Sequence, residues 1–86
     1  MSTREHEIGQ VTRFFARPVV AGIHLTAPLK VGDRIRIRGG TTDLTLLVES
    51  MQVNNASVQT AQAGDEVGIK VPDRAREGDK VYRLEG

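Results

Sequence analysis

There is no cysteine in this chain, so neither disulfides nor thiolate–zinc sites can staple it, and no thiol can serve as a nucleophile. Aromatic residues are almost as scarce, with Phe14, Phe15 and Tyr82 the whole set. Binders of single-stranded nucleic acid stack bases on exposed aromatic platforms, so base reading by stacking is not expected. No apolar run approaches the ~20 residues of a membrane-spanning helix, and Met1–Gln10 is polar, without the look of a signal peptide. Charge of one sign is lacking too. Lys and Arg number 12 against 11 Asp and Glu, a net +1 that is far from the basic excess of a dedicated nucleic-acid binder. These absences lead to the expectation of a cytoplasmic protein with no membrane partner.

What is present suits one small domain over residues 1–86, with residues 1–6 expected as a flexible tail. A chain of this length buries roughly 60–65% of the surface it exposes unfolded, so it must close an efficient core or borrow area from a partner. Val, Ile and Thr make up 22 of the 86 residues, a β-branched bias that suits pleated surfaces. Short runs of these residues alternate with Gly, Pro, Asn and Asp at the spacing of an all-β fold. The pattern predicts strands at Glu7–Phe15, Val19–Leu25, Arg34–Arg38, Leu44–Val53, Ser57–Thr60, Glu66–Val71 and Lys80–Leu84.

Three turns share one chemistry. Gly32-Asp33, Gly64-Asp65 and Gly78-Asp79 each precede an apolar strand position. Glycine accepts positive φ without steric cost, and the Asp side chain can bond backbone N–H groups at the start of the strand. Asn54-Asn55 reads as another tight turn, because Asn tolerates the left-handed region. Gly39-Gly40 fits a two-residue hairpin loop that would set Arg38 opposite Thr41, Arg36 opposite Asp43 and Ile35 opposite Leu44. Ile35, Ile37, Leu44 and Leu46 then form an inner row, and Arg34, Arg36, Arg38, Asp43 and Thr45 an outer one. Beyond Val48 the apolar phase slips, so a bulge near Glu49-Ser50 is expected to bend the strand, as a small closed barrel requires.

The segment Leu29-Lys30-Val31-Gly32-Asp33-Arg34-Ile35-Arg36-Ile37 resembles the second domain of translational GTPases such as elongation factor Tu. Ala63-Gly64-Asp65-Glu66-Val67-Gly68-Ile69 is similar to the closing signature of that domain. The ending Val71–Tyr82 looks more like stand-alone translation elongation factor-like small proteins, and it also resembles the barrel appended to some collagenase-like peptidases. Together the matches span Gly9 to Leu84. The resemblance implies a closed six-stranded Greek-key barrel, and a role in translation. It does not extend to GTP hydrolysis, because no Gly-x-x-x-x-Gly-Lys-Ser/Thr phosphate loop occurs. Glu66 also stands where elongation factor Tu, which holds the aminoacyl end of tRNA with this barrel, has Asn.

Two sets of residues are candidates for binding. Arg34, Arg36 and Arg38 alternate along one strand at ~6.5–7 Å, near the spacing of successive phosphates, with Lys30 close by. They could track the backbone of structured RNA or ribosomal RNA; the plain alternative is a solvated face with Arg36 neutralised by Asp43. The second set is Phe14, Phe15, Arg74 and Arg76. Adjacent Phe14 and Phe15 must point to opposite faces, one into the core and one toward a partner. Arg74 and Arg76 lie in the loop Pro72–Gly78 between Asp73 and Glu77, either as a contact loop or as a locally paired soluble one.

His6 and His24 belong to no ligand cluster, Ser50 and Ser57 to no nucleophile elbow, and a barrel this small fills its interior with side chains. No metal, cofactor or catalysis is therefore expected. The leading expectation is a non-catalytic, RNA-associated translation accessory. The alternative is a protein–protein interaction module docking on a larger, peptidase-type enzyme through the Phe14/Phe15 face and the Pro72–Gly78 loop, or a self-associating barrel.

Overall fold

The computed structural model describes residues 4–85, and among them there is no helix. Ten strands run in chain order: β1 Arg4–Ala16, β2 Val19–Leu25, β3 Leu29–Lys30, β4 Arg34–Arg38 and β5 Asp43–Leu47, then β6 Met51–Val53, β7 Ala56–Val58, β8 Thr60–Ala61, β9 Glu66–Lys70 and β10 Lys80–Glu85. The predicted strands are all represented, with two of them divided. The tail expected over residues 1–6 is strand from Arg4 onward, paired through Arg4, Glu5 and His6 to Glu85, Leu84 and Arg83. Its first three residues lie outside the described ones.

Eight strands form one sheet in the order β5-β4-β10-β1-β2-β9-β6-β7, and β3 with β8 makes a separate ribbon. The ladder ends at β5 and at β7, so the closed six-stranded barrel expected above is not what the chain builds. The reason lies in the long strand predicted over Leu44–Val53. It breaks at Val48–Ser50, and its halves join opposite ends of the ladder: β5 pairs with β4, while β6 pairs with β7 and β9. The four steps from Leu47 to Met51 span at most roughly 14 Å, so the two ends of the sheet curl toward each other without pairing. One core joins them. Ile8, Ile23, Leu25, Ile35, Ile37, Val48, Met51, Ile69 and Val81 are buried in a single cluster, flanked by Leu44, Leu46, Val53 and Val58. The β3–β8 ribbon closes over this core through Leu29 and Ala61.

The three Gly-Asp turns are copies of one device. Gly32, Gly64 and Gly78 have φ of 100°, 95° and 93°, the left-handed position of a type II turn. Asp33, Asp65 and Asp79 each close the turn twice. The backbone N–H donates to the carbonyl of the residue three back, at 3.1, 3.0 and 3.1 Å. One carboxylate oxygen accepts the N–H of that same residue, from Lys30, Gln62 and Arg76, at 3.1, 2.8 and 2.8 Å. Asn54 and Asn55, at φ 52° and 64°, form the expected left-handed turn between β6 and β7.

The β4–β5 hairpin keeps the expected faces but not the expected register. Arg38 pairs with Asp43, Arg36 with Thr45 and Ile35 with Leu46, so the loop is Gly39–Thr42 and not Gly39-Gly40 alone. A slip of two residues leaves every side chain on its face. The tertiary surroundings select the longer loop. Gly39 N–H donates to the Thr42 carbonyl at 2.8 Å, and the carboxylate of buried Asp79 occupies the space where a Gly39 side chain would sit.

Candidate docking site

The outer face of β4, β10 and β1 carries the arginine row. Arg36 donates two hydrogen bonds to Asp43, Nε to Oδ1 and Nη2 to Oδ2, both at 2.8 Å, and a third from Nη1 to Glu5 at 3.2 Å. Hydrogen bonding from Arg36 holds the Asp43 carboxyl below its usual range, and the same contact raises Arg36 above the ordinary arginine value. Arg38 reaches Glu5 at 3.7 Å and lies 6.0 Å from the Tyr82 ring centroid. Lys80 meets Glu7 at 3.8 Å on the same face. Arg34 and Lys30 are exposed, and Lys30 contributes its backbone N–H to the Asp33 turn. A phosphate here would have to displace carboxylates that already hold two of the row's three guanidinium groups. Arg36 is paired with Asp43 and Glu5 and Arg38 with Glu5, while Arg34 is exposed without an ion-pair partner among the described residues.

The other end of the sheet is different. Phe14 and Phe15 do point to opposite faces: Phe14 packs against the core, while Phe15 is 51% exposed. The loop after β9 is pinned by buried Ala75, and Arg74 from this loop lies over the Phe14 ring, 6.0 Å from its centroid. Arg76 is exposed, with its backbone N–H held by Asp79. Thus Phe14 and Arg74 come together, whereas Phe15 faces away from them.

Phe15 instead borders a cleft of about 560 Å³ that no motif had singled out. Its floor follows from register. Arg13, Gly22, Gly68 and Gln52 stand side by side across β1, β2, β9 and β6, and the next row is Phe15, Val20 and Lys70. Two glycines paired in adjacent central strands leave the outer face bare, since their inward neighbours Ala21, Ile23, Val67 and Ile69 fill the core. The Arg13 stem lies along Gly22, its Cβ 3.3 Å from where a Gly22 Cβ would stand. Phe15, Pro18 and Val20 wall one side, with Arg17 at the tip, and Asn54, Asn55 and Glu66 rim the other. The readable signal was the repeated Gly-Ile step in β2 and β9, where Gly takes an outward position in a strand otherwise rich in branched residues.

A second cleft of about 370 Å³ lies where the β3–β8 ribbon meets β10. Arg83 crosses it to bond the Pro28 carbonyl at 3.0 Å. His6 pairs with Glu85 at 2.9 Å and His24 with Glu66 at 3.6 Å, each a single contact. Among the described residues no three His, Asp or Glu groups converge as a metal site, and no helix is long and apolar enough to cross a membrane.

No protein-family model matches the chain. It is 45% identical over 82 residues to an uncharacterized protease of Methanocaldococcus jannaschii, covering 94% of this chain and 20% of that protein. A collagenase of Porphyromonas gingivalis is 31% identical over 80 residues, covering 91% of this chain and 22% of the collagenase. Among solved structures, the C-terminal domain of a putative U32 peptidase from Geobacillus thermoleovorans superimposes with a TM-score of 0.84 at 17% identity. That match covers 93% of this chain and 92% of the domain. The chain shares the fold of that domain.

These likenesses correct the translation-factor reading and the RNA-associated function drawn from it. The Leu29–Ile37 and Ala63–Ile69 segments that carried that reading are the first and second Gly-Asp turns with the strands that follow. Such strings report turn chemistry, which recurs three times in this chain alone and does not by itself carry a function. The weaker resemblance of the ending to domains appended to collagenase-like peptidases is the one the relatives support. The chain spans about one fifth of the length of the curated relatives it matches.

Proposed function

We propose that this domain is a peptidase-associated accessory module, itself non-catalytic, that docks on a peptidase-type protein. The observation that carries the reading is the proportion of the match: 45% identity runs over 94% of this chain yet only 20% of a protease. A segment that small, filled by a continuous apolar core, supplies binding surface more readily than a reaction centre. The absence of any thiol and the single-contact pairing of both histidines favour the same view. The setting is the cytoplasm, in keeping with a fold held without disulfides.

Affinity capture with the tagged chain from nuclease-treated lysate, followed by mass spectrometric identification, tests the proposal. Recovery of a peptidase-type protein in a stoichiometric complex is the expected result. Capture that disappears with nuclease, or that never includes such a protein, overturns it. Hydrolysis of casein by the purified chain alone would overturn the non-catalytic part.

A further inference from the structure

We infer that the glycine-floored cleft beside Phe15 is the docking seat, and that it receives an acidic segment bearing an apolar side chain on the peptidase-type partner. The inference rests on the docking reading above and adds the face and the chemistry. The apolar wall is Phe15, with Pro18 and Val20 beside it, bordering a hollow and not a flat face. A volume of about 560 Å³ accepts one or two side chains, and the bare backbone at Gly22 and Gly68 lets an extended chain lie close.

Charge decides the occupant. Arg13 and Arg17 line the cleft and Lys70 flanks it, and among the described residues none of the three has an ion-pair partner. Glu66, the carboxylate on the opposite rim, is engaged by His24 at 3.6 Å. Gln52, Asn54 and Asn55 supply neutral donors and acceptors there. The cleft is thus cationic on its aromatic side and neutral to weakly acidic on the other. It complements a segment with carboxylates flanking an apolar anchor. Free guanidinium groups steer and orient such a segment, while the aromatic wall holds it.

The test uses the isotopically labelled full chain and a short synthetic peptide alternating Glu and Leu, with a Lys/Leu peptide as control. Amide shifts at Arg13–Arg17, Val19, Val20, Gly22, Gly68 and Gln52 with the acidic peptide alone are expected. Shifts centred on Arg34–Arg38, or equal shifts with both peptides, overturn the inference. The peptidase-type protein recovered by capture is then titrated against variants. Phe15→Ala and the double change Arg13→Glu with Arg17→Glu each weaken binding about tenfold or more, and with the double change added salt no longer weakens binding. Gly68→Ala raises the floor by one methyl, whose only neighbour within contact range is Val20 Cγ1 at 3.6 Å, so it weakens binding while the melting temperature holds. Arg34→Ala, on the arginine row, leaves affinity within about twofold. Wild-type affinity in all the cleft variants overturns the assignment of the face and leaves the docking reading standing. Failure of the wild-type chain to capture any peptidase-type protein overturns that reading instead.

Discussion

Two regions of this sheet's outer face carry cations and differ in how many of them are paired. On β4, β10 and β1, Arg36, Arg38 and Lys80 are tied to Asp43, Glu5 and Glu7. Around the β1–β2 tip, Arg13, Arg17 and Lys70 have no ion-pair partner among the described residues, and the surface there is hollow and partly apolar. A basic row in a sequence is therefore a poor guide to an anion site when acids on neighbouring strands fall within reach. Register puts Glu5 near Arg36 although 31 residues separate them. Arg34 and Lys30 also have no ion-pair partner among the described residues, but the unpaired cations of the tip stand beside an aromatic-walled cleft.

If the contrast is right, changes on the paired side register in stability and changes at the tip do not. The largest effect is expected at Gly39→Ala, where the new methyl would overlap the Asp79 carboxylate that closes the third Gly-Asp turn. A loss of about 2–3 kcal/mol in chemical denaturation is expected; a neutral result would mean that the turn can move freely, and would break the account of the hairpin loop.

Phe14 and Phe15 sharpen the comparison within two adjacent residues. Phe14→Ala removes a ring packed on the core and lying under Arg74, and should cost about 2 kcal/mol, less than a fully buried ring. Phe15→Ala should stay within about 0.5 kcal/mol of wild type in the same assay. Equal losses would show that the exposed ring is structural and would weaken the case for the tip as a docking surface.

A smaller difference separates Arg36→Ala from Arg13→Ala. The first leaves Glu5 and Asp43 without their shared partner and should lower the melting temperature at low salt, an effect that about 1 M salt erases. The second should leave the melting curve unchanged at both salts. The smallest effect is expected from acid titration. Because Arg36 holds the Asp43 carboxyl below its unfolded value, this pair contributes stability above about pH 4 and loses it as pH falls through the folded value. Asp43→Asn should flatten that acid limb without altering the neutral plateau by more than the pair's own contribution. An unchanged acid limb would show that Asp43 contributes nothing to it.

Much of the fold was legible because it is local. The repeated Gly-Asp pairs announced turns whose hydrogen bonds close within four residues, and Asn54-Asn55 announced a left-handed turn of two. The alternation of Ile35, Ile37, Leu44 and Leu46 with Arg34, Arg36, Arg38 and Asp43 assigned both faces of a hairpin correctly, even though its register is two residues away from the one the glycines suggest. Period-two patterning cannot detect a slip of two. The break at Val48–Ser50 was visible as a change of phase, but the phase alone does not say that the two halves join opposite ends of an open sheet.

The amino-acid sequence by itself determined that this is a cysteine-free, all-β, single-core chain of nearly balanced charge, since composition, alternation and turn chemistry act over a few residues. It did not determine which cations are spent and which are free. That depends on the order of strands in the sheet, which sets Glu5 beside Arg36 and pairs Gly22 with Gly68 across β2 and β9. Ion pairs and clefts are products of contacts between residues far apart in the chain. Only the tertiary structure brings those residues together.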